Sequence, residues 1–306
     1  MQIIKTFVTS AVLFTSVLPS YASDDEMPDD KVYRYYNAKV ISDPAAEVRH
    51  LDDLHGEIWV RGSKIIEPRE QADVSIDMEG NFLAPGYIDL QINGAFGVDF
   101  SRSPERVAEV AKQLTRFGVT SFLPTLVSLK QEEYPLCMPH LQPKAGGAHG
   151  ANILGMHLEG PFLSKEQCGA HDHGNVLGCA YPDPKDFYGS LEGVRMVTLA
   201  PEVPEAHEAI GALYRRGIIV SAGHTNASYM GMFRATAQGL KCATHLFNAM
   251  PFNHRDPGVV ARVLNHDDMF YSVIVDRHHL HPATINLARN AHTKGLILVT
   301  DAMAAM

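Results

Sequence analysis

Four short apolar segments of this chain each end in a residue able to ligate a metal ion or move a proton. They are Leu154-Gly-Met-His-Leu-Glu159, Val220-Ser-Ala-Gly-His224, Cys242-Ala-Thr-His245 and Leu298-Val-Thr-Asp301. A carboxylate leaving a buried strand is costly unless something positive meets it, and after Glu159 the chain turns at once through Gly160-Pro161. Glu159, His224 and His245 make a sound mononuclear ligand set. Two imidazole nitrogens and a carboxylate oxygen suit Zn²⁺, and three protein ligands leave a position for water or a substrate oxygen. Iron, manganese or cobalt can occupy the same kind of set. Asp301 is better placed as a base, because water activated by a divalent ion still needs a proton acceptor. Each residue has an ordinary alternative: a carboxylate that caps a backbone or pairs with a base, or a histidine satisfied within a core.

Three loops add candidates. His171 in Cys168-Gly-Ala-His171 and His279 in Asp276-Arg-His-His279 follow strand ends and could orient a carbonyl or a phosphate, or be plain loop histidines. Asn248, Ala249, Arg255 and Asp256 share the loop Phe247–Gly258. A backbone N–H, an amide and a guanidinium in one loop form an anion-binding set, the alternative being a solvated loop. Lys144 with Gly146-Gly147 is not a phosphate-binding P-loop, since the order is wrong and no Lys-Ser/Thr follows.

The elements that must position these residues follow from hydrophobic periodicity. Strands are expected at Tyr87–Ile92, Val119–Leu126, Ile153–Leu158, Val194–Leu199, Ile218–Ser221, Leu240–Thr244, Phe270–Val275 and Leu296–Thr300. Helices are expected at Pro104–Phe117 (Ser103 as cap, Pro104 at N1), Pro204–Arg216, Ala227–Gln238 and Pro282–His292, with a less regular helical stretch before the third strand. This alternation is the rhythm of a (β/α)8 TIM-type barrel, in which chemistry sits at the C-terminal ends of the strands. Gln91, Glu159, His224, His245, Asp276 and Asp301 all fall there. Before the barrel (85–306), residues 31–84 read as a small β module with strands at Val32–Tyr36, Gly56–Val60, Lys64–Ile66 and Val74–Ile76. Arg61-Gly62-Ser63 is its hairpin turn and Trp59 a core residue. No recognisable helix follows the eighth strand, so the C-terminal part of the barrel is expected to be truncated and its outer layer open there.

Composition narrows the function classes. The net charge of −9 and the lack of a basic run argue against nucleic-acid binding. Four cysteines, Cys137, Cys168, Cys179 and Cys242, have neither metal-finger spacing nor the density of a disulfide scaffold. Residues 1–23 read as a secretory signal peptide: Lys5, an apolar run from Phe7 to Leu18, and a small-x-small site ending at Ala22. An acidic linker, 24–30, follows, and no other segment is long and apolar enough to span a bilayer.

Taken together, Leu83-Ala-Pro-Gly-Tyr-Ile-Asp-Leu-Gln-Ile-Asn-Gly94, His157-Leu-Glu-Gly-Pro161, Gly169-Ala-His171, Gly223-His224, Thr244-His-Leu-Phe-Asn-Ala-Met250, Arg255-Asp-Pro-Gly258 and Val299-Thr-Asp-Ala302 closely resemble the N-acetylglucosamine-6-phosphate deacetylase family of the amidohydrolase superfamily. The resemblance implies one divalent metal on Glu159, His224 and His245, with Asp301 as catalytic base and His171 at the reacting carbonyl. It also implies that Asn248, Ala249 and His279 contact the phosphate of a phosphorylated amino sugar, and that Arg255 reaches a neighbouring subunit's site in a homodimer. The implied reaction yields glucosamine 6-phosphate and acetate. Gln91 and Asn93 stand where many amidohydrolases carry His-x-His, which fits a one-metal form. Arg277 stands where the family usually has glycine, adding bulk and charge to a substrate loop. The family is cytoplasmic, in conflict with the signal-peptide reading. Two other functions compete: an amidohydrolase acting on another N-acyl amine, and a truncated inactive paralogue that only binds a partner.

Overall fold

The computed structural model describes residues 31–41, 56–62, 64–147 and 150–305. The expected signal peptide, the acidic linker and Ser63 of the hairpin turn lie outside the described residues. The chain divides into two compact units. One takes its described residues from the stretch ending at Ile88, with 111–121 and 145–152; the other comprises 89–110, 122–144 and 153 onward.

In the first unit, strands β1 (Val32–Tyr36), β3 (Ile58–Arg61), β4 (Lys64–Ile66) and β5 (Val74–Asp77) form one sheet in the order β4-β3-β1-β5. β1 and β3 are antiparallel, as are β3 and β4, whereas β1 and β5 are parallel. The short strands β2 (Lys39–Val40) and β6 (Phe82–Leu83) pair in parallel. These strands therefore find partners in one another. Alternation places Tyr33, Tyr35, Ile58 and Val60 on one face, in an apolar cluster with Ala38, Met78 and Leu83. Trp59 is buried, as expected of a core residue, but on the opposite face. Its indole N–H donates to Glu57 at 3.0 Å and the Arg34 guanidinium lies over its ring.

The barrel strands are β7 (Tyr87–Ile92), β10 (Val119–Leu126), β12 (Met156–Glu159), β13 (Val194–Leu199), β14 (Ile219–Ala222), β15 (Cys242–Ala243), β16 (Phe270–Ile274) and β17 (Leu296–Val299). From β10 to β17 neighbours pair in parallel in chain order. β7 pairs with β10, and a parallel bridge between Ile92 and Ala302 brings the last strand back to the first. Short pairs β8 (Gly94–Ala95) with β9 (Val98–Asp99) and β11 (Asn152–Ile153) with β10 complete the strands.

Several boundaries differ from those the periodicity predicts. The expected third strand splits into β11 and β12 because Gly155 takes a positive φ of 134°, so Glu159 becomes the last residue of β12. The helix expected over 104–117 is α-helical only at α1 (Val107–Leu114), with 3-10 turns on both sides. Ser103 makes no side-chain cap, while Pro104 does open the first turn. The irregular stretch holds the single turn α2 (Tyr134–Cys137), and another turn, α3 (Lys185–Tyr188), precedes β13. Helices α4 (Ala206–Arg215), α5 (Tyr229–Gln238) and α7 (Pro282–Ala291) match expectation to within two residues. Ser228 caps α5 by accepting from the Gly231 N–H. Helix α6 (Gly258–Leu264) was not expected; its first turn follows Pro257 and its apolar run is too short to show a period.

Beneath the strand ends the barrel carries a buried polar chain. His157 lies with Nδ1 3.1 Å from the Leu90 carbonyl and Nε2 2.7 Å from Thr198 Oγ1. Thr198 contacts Thr244 at 2.7 Å, and Thr244 contacts Ser221 at 2.6 Å. The carbonyl can only accept, so Nδ1 carries the proton and the hydroxyls align behind Nε2. Burial pushes the His157 pKa down to about 4. Between this value and the ordinary one the unfolded chain takes up a proton that the folded chain refuses, so this residue's contribution is lost as pH falls. Replacing His157 with Gln is therefore expected to cost about 1–3 kcal/mol at pH 7. That deficit should shrink in paired urea melts at pH 4.5; a deficit independent of pH would show that His157 does not carry this linkage.

Candidate metal centre at the strand ends

Because the strands are parallel, their C-terminal ends converge. Glu159 is the last residue of β12, and His224, His245 and Asp301 each lie two residues past β14, β15 and β17. Those three adopt left-handed backbone angles, with φ of 49°, 35° and 50°. Non-glycine residues occupy this region at a cost of about 1–3 kcal/mol each, sustained only when the surroundings over-determine it. Here the surroundings are the strand ladders and specific anchors. The His245 N–H donates to Ser272 Oγ at 2.8 Å, and the His224 carbonyl accepts from the Ser164 N–H at 2.9 Å.

Glu159 Oε1 is 3.2 Å from His224 Nε2 and 3.1 Å from His245 Nε2, and the two nitrogens are 3.0 Å apart. A tetrahedral ion with bonds of about 2.0–2.1 Å has ligand–ligand edges of about 3.3 Å, so this triangle is close to one face of such a site. His224 Nδ1 lies 2.8 Å from the Gln167 carbonyl, which puts its proton there and leaves the Nε2 lone pair facing inward. A lone pair 3.2 Å from a carboxylate oxygen in a buried place repels it unless a cation or shared proton lies between them. The donor set thus fits a divalent cation.

Glu159, His171 and His224 form a looser candidate set, their ligand atoms lying within 4.8 Å of one another. His171 differs chemically from His245. Its Nδ1 accepts from the Ser128 N–H at 3.1 Å, so a neutral ring carries its proton on Nε2, 3.9 Å from Glu159 Oε2. Burial pushes the His171 pKa down to about 4, against the pull of Glu159, so the ring is neutral at pH 7. It is a donor rather than a lone pair. Burial pushes the Glu159 carboxyl upward, but without a cation the proton it shares with His224 and His245 outweighs burial and holds it well below the usual carboxylate range.

Gln91, Asn93 and Asp89 alternate along the first strand and share its inner face. Gln91 Nε2 donates to Glu159 Oε1 at 2.9 Å, and Asn93 Nδ2 donates to Asp301 Oδ1 at 2.7 Å. These amides hold the two carboxylates in place. Their own oxygens, Gln91 Oε1 and Asn93 Oδ1, are buried acceptors without a donor, as expected where a bound group or water completes the site. Burial first and the charge of Glu159 second push the Asp301 pKa up to about 6, with His245, Asn93 and His224 pulling the other way. Below the site, Tyr134 and Tyr188 hydroxyls lie 3.4 and 2.8 Å from the Gly160 carbonyl. Gly160 has φ of 83°, and a Cβ there would sit 2.3 Å from Ser128 Oγ, so the turn that ends β12 requires glycine.

The remaining candidates lie farther out. Asn248 follows His245 in a tight turn, with its N–H and side-chain amide both donating to the His245 carbonyl. Ala249 has φ of 50°. His279 is exposed and its Nδ1 is 2.7 Å from Asp276, so Asp276 serves this loop histidine rather than the buried cluster. Arg255 is exposed, its N–H donating to Asn253. Arg277 has φ of 67°, a conformation glycine takes freely and arginine only with strain. In the sequence, Gln91 and Asn93 mark only a strand end and the absence of a His-x-His pair, and nothing there gives a role to Asp89, His157, Ser128, Tyr134 or Tyr188. The alternation of polar residues through Asp89-Leu-Gln-Ile-Asn93 was the available signal for the first group.

No protein-family model matches the sequence. The chain is 46% identical over 274 residues to N-acetylglucosamine-6-phosphate deacetylase of Homo sapiens, covering 83% of this chain and 67% of that protein. With the Danio rerio enzyme of the same name the identity is 41%, over 93% of this chain and 74% of the relative. Among solved structures, N-acetylglucosamine-6-phosphate deacetylase from Pasteurella multocida superposes with a TM-score of 0.78 at 32% identity, over 90% of this chain and 72% of that one. A mutant of the Mycobacterium smegmatis enzyme in complex with N-acetyl-D-glucosamine-6-phosphate gives 0.74 at 28% identity, over 90% and 71%.

The two ligand sets predict different metal contents. His224→Ala and His245→Ala are each expected to lower bound metal at least about tenfold, whereas His171→Ala should retain it. Elemental analysis of the purified variants decides; metal lost from His171→Ala and kept by His245→Ala would put the ion in the looser set.

Proposed function

Since the chain belongs to the N-acetylglucosamine-6-phosphate deacetylase family, we propose that it hydrolyses the acetamide of N-acetyl-D-glucosamine 6-phosphate to D-glucosamine 6-phosphate and acetate. The observation that carries this reading is the closed triangle of Glu159 Oε1, His224 Nε2 and His245 Nε2, flanked by one proton donor and one carboxylate base. We assign Glu159, His224 and His245 as ligands of one divalent ion, zinc by the nitrogen and oxygen donor set, with iron, manganese or cobalt able to replace it. When bound, that ion supplies Lewis-acid polarisation and lowers the pKa of water.

The chain's own residues do the rest. His171, with its proton on Nε2, donates to the acetamido carbonyl and strengthens that contact as charge builds on oxygen. Asp301 takes a proton from the attacking water and returns it to the departing amine nitrogen, so the C–N bond breaks with a neutral leaving group. Asn93 occupies Asp301 Oδ1 and leaves the other carboxylate oxygen for this transfer. Asn248, Ala249 and His279 are assigned to the sugar phosphate, and exposed Arg255 to the phosphate site of a second subunit in a homodimer.

Purified, metal-loaded protein should hydrolyse the 6-phosphorylated sugar with at least about a hundredfold higher kcat/KM than unphosphorylated N-acetylglucosamine. Equal rates would sink the assignment in favour of another N-acyl amine. Asp301→Asn should keep the metal and lose at least about a thousandfold in kcat. The acid limb of the kcat profile should lie below pH 6, because a dication beside Asp301 lowers its pKa from the value set by burial; activity falls as pH drops through that limb, since the base is then protonated.

A further inference from the structure

Neighbouring barrel strands from β10 to β17 are joined by parallel ladders, but the seam between the last strand and the first is different. It holds a single bridge, Ile92 with Ala302, and two backbone hydrogen bonds. The Asp301 N–H donates to the Gln91 carbonyl at 2.9 Å, and the Asn93 N–H donates to the Ala302 carbonyl at 2.8 Å. Both lie at the residues that carry the chemistry. Beside them lies Asp89, whose residue is only 3% exposed. Its Oδ2 accepts from Thr300 Oγ1 at 2.6 Å, and its Oδ1 accepts from the Gln91 N–H at 3.2 Å. The Thr300 N–H reaches both oxygens, at 3.3 and 3.4 Å. Thr300 Oγ1 in turn accepts from the Ala302 N–H at 3.2 Å, bracketing Asp301 within a side-chain turn.

We propose that Asp89 and Thr300 form a seam clamp that positions Asp301, making Asp89 a positioning residue for the deacetylation. The inference rests on the role given to Asp301 above. Asp301 sits in a left-handed conformation with φ of 50°, next to a seam with little ladder of its own. Without a tie on each side, its carboxylate would relax toward an unstrained backbone and leave Asn93. The clamp needs a carboxylate. Every donor around Asp89 points a hydrogen at it, and an asparagine would turn its own N–H₂ toward one of them. Burial raises the cost of the charge, and the group's pKa is pushed up to about 6, yet the site keeps an acid where an amide of the same size would be cheaper to bury.

Two measurements on the full chain test this, one independent of turnover. In hydrogen exchange read by mass spectrometry, Asp89→Asn and Thr300→Val should speed exchange in peptides covering 299–305 and 90–94, leaving peptides over β13 and β14 unchanged. In metal-loaded protein, both variants should lower kcat by about tenfold or more, with KM within about threefold and metal content unchanged. Thr300→Ser, which keeps the hydroxyl, should restore both properties. Unchanged exchange at the seam overturns the clamp whatever the kinetics. Faster exchange with wild-type kcat overturns the positioning role, as does failure of Thr300→Ser to rescue. A wild-type chain without turnover would instead overturn the deacetylase reading, while exchange would still decide the clamp.

Discussion

One buried carboxylate oxygen, Glu159 Oε1, is the point on which the rest of the barrel's upper end depends. It is contacted by the Gln91 amide and by two imidazole nitrogens, each delivered by a different strand. A lone carboxylate in such a place would protonate or drag in water. Its charge is sustained because each neighbour is fixed in turn: His224 by the Gln167 carbonyl, His245 by Ser272, and the turn after Glu159 by two tyrosine hydroxyls on the Gly160 carbonyl. Burial and charge compensation are a single requirement here, and a divalent cation satisfies it best.

The same requirement explains where backbone strain is stored. His224, His245 and Asp301 leave the ladder and turn through the left-handed region, which aims their side chains back over the barrel mouth instead of along the strand. Parallel neighbours below and hydrogen-bonded loops above make that turn affordable. Arg277 has the same backbone sign in an exposed loop, supported by the Asp276 carboxylate accepting from the His278 and His279 N–H groups. There the strain shapes the rim, and the arginine side chain adds positive charge to an exposed loop.

The neutral polar chain through His157, Thr198, Thr244 and Ser221 separates this charged layer from the apolar interior around Leu123, Met196 and Cys242. Hydroxyls can donate and accept, so the chain propagates the single direction imposed by the Leu90 carbonyl. A protonated His157 would break that order, and burial ensures the ring stays neutral. The result is a dielectric step: charge above, dipoles in the middle and hydrocarbon below.

The sequence by itself determined the barrel, because each strand's apolar run and each helix's periodicity are local properties, and so is the placement of an acid, two histidines and a second acid at strand exits. Family motifs then attached roles to Glu159, His171, His224, His245 and Asp301. Tertiary structure decided what depends on convergence across the barrel. That His245 and not His171 completes the tight triangle follows from distance and from the Ser128 N–H, which occupies His171 Nδ1 and leaves a proton on its Nε2, and no spacing encodes that. That Gln91 and Asn93 hold carboxylates follows from a strand register that brings residues 68 and 208 positions apart into hydrogen bonding. Trp59 shows the same limit in the small sheet, where pattern foretold burial but only strand pairing chose the face. Local chemistry says which residues can react; the closure of the sheet says which atoms of those residues are left free to do so.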